Sequence, residues 1–246
     1  MRVCFDLTNR VAAKLLFGLV LFDLCLVLIF AVNTLLGDPS RSMKELFDLG
    51  GEGNIPAWFS SMQLFLIGLI FFLRTRQLDR DRSPSPSFLL TVSAGFLYLS
   101  VDEVSSIHEK ITLVLKQVEF MPRFSGDHGI WIFIYALIAL ILFLVTFRAV
   151  AAMWNRYRRA TLVMAVGVGI ALLGGLVLEV ISYLFFRSGS TSLLHGAEVA
   201  LEEFLEMAGA SVALYGATLF LLKSRVESQG EESEGHIARL ARSSGL

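Results

Sequence analysis

Charge is scarce in this chain. Only 17% of its 246 residues are Asp, Glu, Lys or Arg, where an ordinary soluble domain carries about a quarter. With 55% hydrophobic residues, that scarcity excludes a disordered chain and a typical nucleic-acid binder, whose footprint is a basic surface. Cysteine is scarcer still, with two residues. Cys4 precedes the first apolar run and Cys25 lies inside it, so they do not pair. They offer no metal spacing, and a disulfide-rich secreted domain is excluded. Lys and Arg are missing altogether from six apolar segments, 15–36, 58–73, 88–109, 129–147, 161–186 and 198–222.

Those six segments are the main positive feature. A bilayer core of about 30 Å takes about 20 apolar residues as a helix, and each segment reaches or approaches that length. The connectors are polar, bear Gly or Pro, and leave no room for a soluble domain. The pattern predicts an all-α fold, a polytopic six-span bundle in one transmembrane domain over residues 1–222. It predicts a disordered polar tail over 223–246, with His236 outside any site. No repeat supports an inverted-repeat transporter. The first apolar run is too long for a signal-peptide core and no small-x-small cleavage site follows it, so it reads as an uncleaved helix.

Orientation follows from the basic residues, which concentrate in cytoplasmic loops. With the N-terminus inside, 15 of the 21 Lys and Arg fall on the inner side. Six spans with both termini cytoplasmic, in a bacterial inner membrane, is the expectation. The near-neutral net charge of −1 then hides an inner basic excess and an outer acidic one.

Two spans complete their crossing only with acidic ends. The third closes with Asp102, Glu103, His108 and Glu109. The sixth opens with His195, Glu198, Glu202, Glu203 and Glu206. At about 100° per residue, Asp102, Ser105, Ser106 and Glu109 share one face, and His195, Glu198, Glu202 and Glu206 share another. His108 points elsewhere unless the helix ends or bends. Glu179 in the fifth span falls in the same outer half, and His128 stands at the mouth of the fourth. Ionisable groups inside a membrane are costly and mark functional sites by default. Carboxylates this close together cannot all stay ionised without compensation. They are protonated, face water, or are held by cations. Helix-end solvation is the bland reading; it is favoured for Glu119 and Asp127 and open for His195 and Glu198. Asp23, mid-way along the first span, reads either as a proton-relay group or as an acid bonded to a neighbouring Ser or Tyr.

Ahead of the second span runs Asp48-Leu49-Gly50-Gly51-Glu52-Gly53-Asn54-Ile55-Pro56. Asn54 and Pro56 suit a capped helix entry. The functional alternative is a loop over the acidic cavity that lends Glu52 or Asn54. A short interfacial helix is expected over 43–49.

Three stretches carry a resemblance: Glu52-Gly53-Asn54-Ile55-Pro56-Ala57-Trp58-Phe59-Ser60-Ser61, then Leu99-Ser100-Val101-Asp102-Glu103 through His108-Glu109, then Leu201-Glu202-Glu203-Phe204-Leu205-Glu206-Met207. Together they resemble a group of uncharacterised bacterial polytopic membrane proteins. The resemblance implies a six-helix membrane fold over residues 48–222 and no particular activity. Membrane hydrolases related to alkaline ceramidase use Ser, Asp and three His around zinc. This chain lacks their His pair four residues apart and has six spans where they have seven.

Three functions compete. The first is a membrane-embedded metal-dependent enzyme. Its ligands would come from Asp102, His108, Glu109, Glu179, His195, Glu198, Glu202 and Glu206, with Asp102, Glu109 and Glu202 as acid–base groups around a metal-bound water. Mn, Fe or Zn suits such a donor set, and no nucleotide cofactor is expected. Its substrate would be a lipid or small molecule from the outer leaflet. The second is a cation- or proton-coupled transporter using the same acids, with Asp23 continuing the path inward. The third is a scaffold whose acidic pocket binds a divalent ion or a basic partner. The bilayer itself is a partner in every case; nucleic acid is not.

Overall fold

Side-chain caps set where the first helices begin. The computed structural model describes residues 8–37, 39–76, 84–186 and 192–243. Thr8 accepts a hydrogen bond from Val11 N–H at the head of α1 (Asn9–Leu35). Ser40 does the same for α2 (Arg41–Phe47), Asn54 for α3 (Ile55–Thr75) and Ser85 for α4 (Pro86–Ser105). Each occupies a first-turn amide that has no partner within its own helix. There follow α5 (Ile107–Leu115), α6 (Ile130–Arg156), α7 (Arg158–Leu172), α8 (Glu179–Ile181) and α9 (Ser192–Ser243). Two π-helical segments, Leu173–Leu178 and Ser182–Phe186, flank α8 and join it to α7 as one rod. Among the described residues there is no strand, only an isolated bridge between Phe124 and His128.

Among the described residues six helical stretches are long and apolar enough to cross a bilayer, Asn9–Leu35, Ile55–Thr75, Pro86–Ser105, Ile130–Arg156, Arg158–Phe185 and Leu193–Ser228. The chain is an all-α membrane protein, as its composition predicts. A short helix lies close to where one was expected, as α2 over Arg41–Phe47 where 43–49 was expected.

Three boundaries differ from expectation. The third span does not run on to Glu109. It stops at Ser105, because Ser106 adopts the left-handed conformation at φ 49° and restarts the chain as α5. The fourth span extends to Arg156, where 147 was expected. The sixth does not end at 222, because α9 continues through the stretch expected to be a disordered tail. Its continuation is anchored. Buried Arg74 donates to Ser224 O at 3.1 Å, and Glu227 accepts from Tyr157 Oη at 2.9 Å and Arg156 Nε at 3.1 Å. Side-chain contacts of Glu227 with Arg156 and Tyr157 thus follow the apolar burial whose last fully buried residue is Phe220.

Packing relies on close backbone approach. Gly167 of α7 and Gly209 of α9 face one another, and Gly216 lies against the backbone of Met164. With little hydrophobic drive between helices in lipid, small residues give the dispersion contact that holds them. On the other side, α3 meets α4 through Ser93 Oγ donating to Gly68 O at 2.8 Å and Ser61 Oγ donating to Ser100 O at 2.7 Å. One apolar core, with Ile67, Phe71, Phe88, Leu89, Leu214 and Phe220, fills the end of the bundle that carries Arg74. A smaller one, Leu26, Leu49 and Met207, lies toward the end that carries the glutamates. By contrast α1 and α6 present exposed residues such as Phe17, Leu144 and Val145, the face a lipid-contacting helix needs.

Candidate functional site

The break at Ser106 organises the acidic end. Ser106 makes no side-chain cap for α5. Asp102, on the preceding turn of α4, supplies it: Oδ1 accepts from the His108 backbone N–H at 2.8 Å. The other oxygen, Oδ2, lies 3.3 Å from His108 Nδ1. A continuous helix would have pointed His108 away; the left-handed residue folds it back onto the acid. The ring packs on Trp131 at 4.9 Å between centroids. The Tyr135 hydroxyl sits beside Asp102 and meets Tyr98 Oη at 2.7 Å. Burial alone would lower the basicity of His108, but the Asp102 hydrogen bond and the charges of Asp102, Glu52 and Glu109 outweigh it and raise its pKa above 6.5. An imidazole oriented by a carboxylate is the arrangement of a general base.

Glu52 reaches the same imidazole from the loop before α3. Its Oε1 lies 3.9 Å from His108 Nε2. Partial burial, reduced by the attraction of His108, brings the Glu52 carboxyl up to about 7. The loop is stapled by Asn54, whose Nδ2 donates to Asp48 O and Gly51 O at 2.6 Å each while Oδ1 caps Ala57 N–H. Gly53, at φ 73°, makes the turn that presents Glu52. Of the two residues the loop was expected to lend, Glu52 joins the site and Asn54 is wholly used in holding the turn.

Beneath this dyad lies a run of glutamates. Glu103 stands beside Ser60 and within charge range of His108 and Asp102. It also acts on Glu203 and Glu206 of α9. Glu202 lies against Glu179, with Glu206 and Glu198 near it. Glu179 itself sits between the two π segments. The charges acting most strongly on Glu202, Glu203 and Glu206 are all carboxylates. Gly174 and Gly175 let α9 come this close: a Cβ on Gly174 would meet Glu202 O at 2.6 Å, and one on Gly175 would meet Glu206 Oε1 at 2.7 Å. At the rim, Glu198 Oε2 is 3.2 Å from the exposed His195 Nδ1, while its Oε1 is buried without a hydrogen-bond partner. The third, fifth and sixth spans therefore bring their acids to one end of the bundle.

Other candidates fall elsewhere. Glu109 does not share a face with Asp102, because the helix break turns it out to solvent. His128 stacks on Tyr183 at 5.7 Å between ring centroids. Asp127 pairs with Arg123 at 2.8 Å. His236 lies where no side chain is described. Among the described residues no three His, Cys, Asp or Glu side chains converge as a set able to hold a metal ion. The acids of α9 are strung along three turns, His108 is engaged by Asp102, and His195 stays at the rim, so the eight expected ligands do not form one shell.

Asp23 is separate and completely buried. Ser211 Oγ donates to its Oδ2 at 2.9 Å and Gln63 Nε2 lies 3.4 Å from its Oδ1. Gln63 Nε2 also donates to Ser211 Oγ at 2.9 Å. The neighbouring-Ser reading of Asp23 is thus realised in the hydrogen bonds. Sequence reasoning missed Gln63, Ser211, Ser60 and Tyr135. The available signal was a polar side chain well inside an apolar run, which is costly unless partnered.

The chain belongs to the DUF8692 family, a domain of unknown function, whose model matches residues 18–222. No curated protein and no solved structure matches it.

Proposed function

We propose that this membrane protein is a proton-coupled transporter whose outer-half glutamates bind the coupling charge. The observation that carries the reading is the run Glu103, Glu179, Glu202, Glu203 and Glu206, in which each acid acts on others of its own sign inside the bundle. Like charges this close cannot all ionise, so the pocket takes up positive charge. Protons need no ligand shell, which suits acids strung along a helix. Polar groups continue along the α3–α9 seam at Gln63–Ser211 and at Arg74–Ser224. They give a path material beyond the outer half. His108, held by Asp102 and faced by Glu52, would exchange protons with the outside. The distribution of basic residues supports an inner-membrane location with both termini cytoplasmic.

A divalent metal ion, and with it a metal-dependent enzyme, is the second reading; the buried unpartnered Glu198 Oε1 next to His195 favours it.

The test is reconstitution of the full chain in liposomes carrying a pH-sensitive dye. A pH gradient should drive a protein-dependent flux that Glu203→Gln and Glu206→Gln slow about tenfold or more. Absence of flux from folded protein would overturn the transporter. A stoichiometric transition metal that the same variants remove would move the assignment to the metal reading.

A further inference from the structure

We propose that Asp23, Gln63 and Ser211 form a second proton-binding site in the middle of the membrane. It extends the transporter reading inward, and it rests on that reading for the direction of the path but not for binding.

The argument begins with a hydrogen-bond inventory. All three side chains are buried, at 0%, 1% and 0% exposure, and they come from three different spans. Their donors are the two N–H groups of Gln63 and the one O–H of Ser211. Their acceptors are both Asp23 oxygens, Ser211 Oγ and Gln63 Oε1. Three donors face four acceptors, and the acceptor left over is Gln63 Oε1, which has no hydrogen-bond partner. A buried carbonyl without a donor is destabilising. One added proton makes the numbers equal. On Asp23 Oδ2 it donates to Ser211 Oγ, and the Ser211 hydroxyl is freed to turn toward Gln63 Oε1. The carboxylate becomes a neutral acid, and the Asp23–Ser211 hydrogen bond is kept with its direction reversed.

Charge points the same way. The groups that act on Asp23 from the helices packed against it are Gln63 on α3 and Ser211 on α9, neither of them charged. The nearest acid along that face of α9, Glu203, is eight residues and about 12 Å away. Met207 lies between them on the same face, and Leu26 covers Asp23 from the next turn of α1, each 1% exposed. Among the described residues no basic side chain acts on Asp23, so a carboxylate at this depth has no counter-ion there to hold it.

Infrared difference spectroscopy of the full chain in nanodiscs, titrated with pH in H2O and D2O, tests the site. The expected result is a carboxylic C=O band that titrates and shifts on deuteration. Asp23→Asn should remove it. Ser211→Ala, which keeps the carboxyl but deletes its partner, should move its frequency. Glu206→Gln should leave it in place, so that loss of liposome flux in that variant bears on the outer pocket alone. A band unchanged in folded Asp23→Asn overturns the proposal. So does a band unmoved in Ser211→Ala, which decides the matter if Asp23→Asn does not fold. An Asp23-dependent signal that follows sodium at fixed pH, and not pH, overturns the proton as ligand.

Discussion

Gly167 and Gly209 sit opposite each other so closely that a Cβ on either would lie 2.7 Å from the carbonyl oxygen of the other. The nearest atoms of all are main-chain nitrogens, Ala213 N at 2.3 Å and Ala171 N at 2.4 Å. Backbone cannot swing aside. Gly167→Ala or Gly209→Ala should therefore push α7 from α9 and cost about 1–3 kcal/mol, the usual range for overpacking. Gly169→Ala, where the added methyl meets open space, should be neutral or slightly stabilising. Thermal unfolding in detergent separates the cases, and equal melting temperatures for Gly169→Ala and Gly209→Ala would contradict the packing argument.

Gly175→Ala should behave differently. The atom met there is the far end of the Glu206 side chain, which can rotate away. The fold should survive with nearly wild-type melting, while proton flux in liposomes drops in the direction of Glu206→Gln. A variant that melts early with normal flux would show that Gly175 serves packing alone.

Asp102 holds the start of α5 as well as His108. Asp102→Ala leaves the His108 backbone N–H without its acceptor and should cost about 0.5–2 kcal/mol, the range for a lost helix cap. Asp102→Asn keeps an oxygen for the cap and should recover most of that loss. If the two variants are equally destabilised, the charge on Asp102 matters more than its capping geometry.

Acid should tighten the loop that carries Glu52. The folded-state pKa of His108 lies above 6.5, so its contribution is complete below that value and is lost as pH rises through the folded pKa. Glu52 moves from 4.5 to about 7 in the fold. Between those values the folded chain holds the proton more firmly than the unfolded one, so rising pH again removes stability. Both groups therefore predict a melting temperature that falls across the neutral range. His108→Gln and Glu52→Gln should each flatten the slope. A wild-type chain that melts higher as pH rises would reverse the assignment.

Glu227 ties the end of the sixth span to Arg156 and Tyr157. Glu227→Ala loses contacts to Tyr157 and Arg156 and should lower stability by roughly 0.2–1 kcal/mol, since the pair is partly exposed.

How far the sequence foretold this depends on the kind of information each feature needs. Spans were legible because burying backbone in lipid demands a long apolar helix, and composition records that directly. The convergence of Glu103, Glu179, Glu203 and Glu206 was legible as depth but not as neighbourhood, since adjacency is a property of packing. Small residues four apart, Gly167 with Ala171 and Gly209 with Ala213, carry that signal and went unread. The turn at Ser106 left no mark, because a serine in a left-handed conformation looks like any other serine. Missing it misplaced Glu109, while His108 was read as facing the acids only if the helix ends or bends, as it does. Asn54 was readable as a cap because capping is local chemistry.

The helix that bears Glu198 at one end and Glu227 at the other is unbroken. Those two residues are about 44 Å apart along a single axis. No hinge interrupts it, so its two ends form the arms of one lever. A tilt that spreads the glutamates at one membrane face must drag Ser224 across Arg74 and Glu227 across Tyr157 at the other.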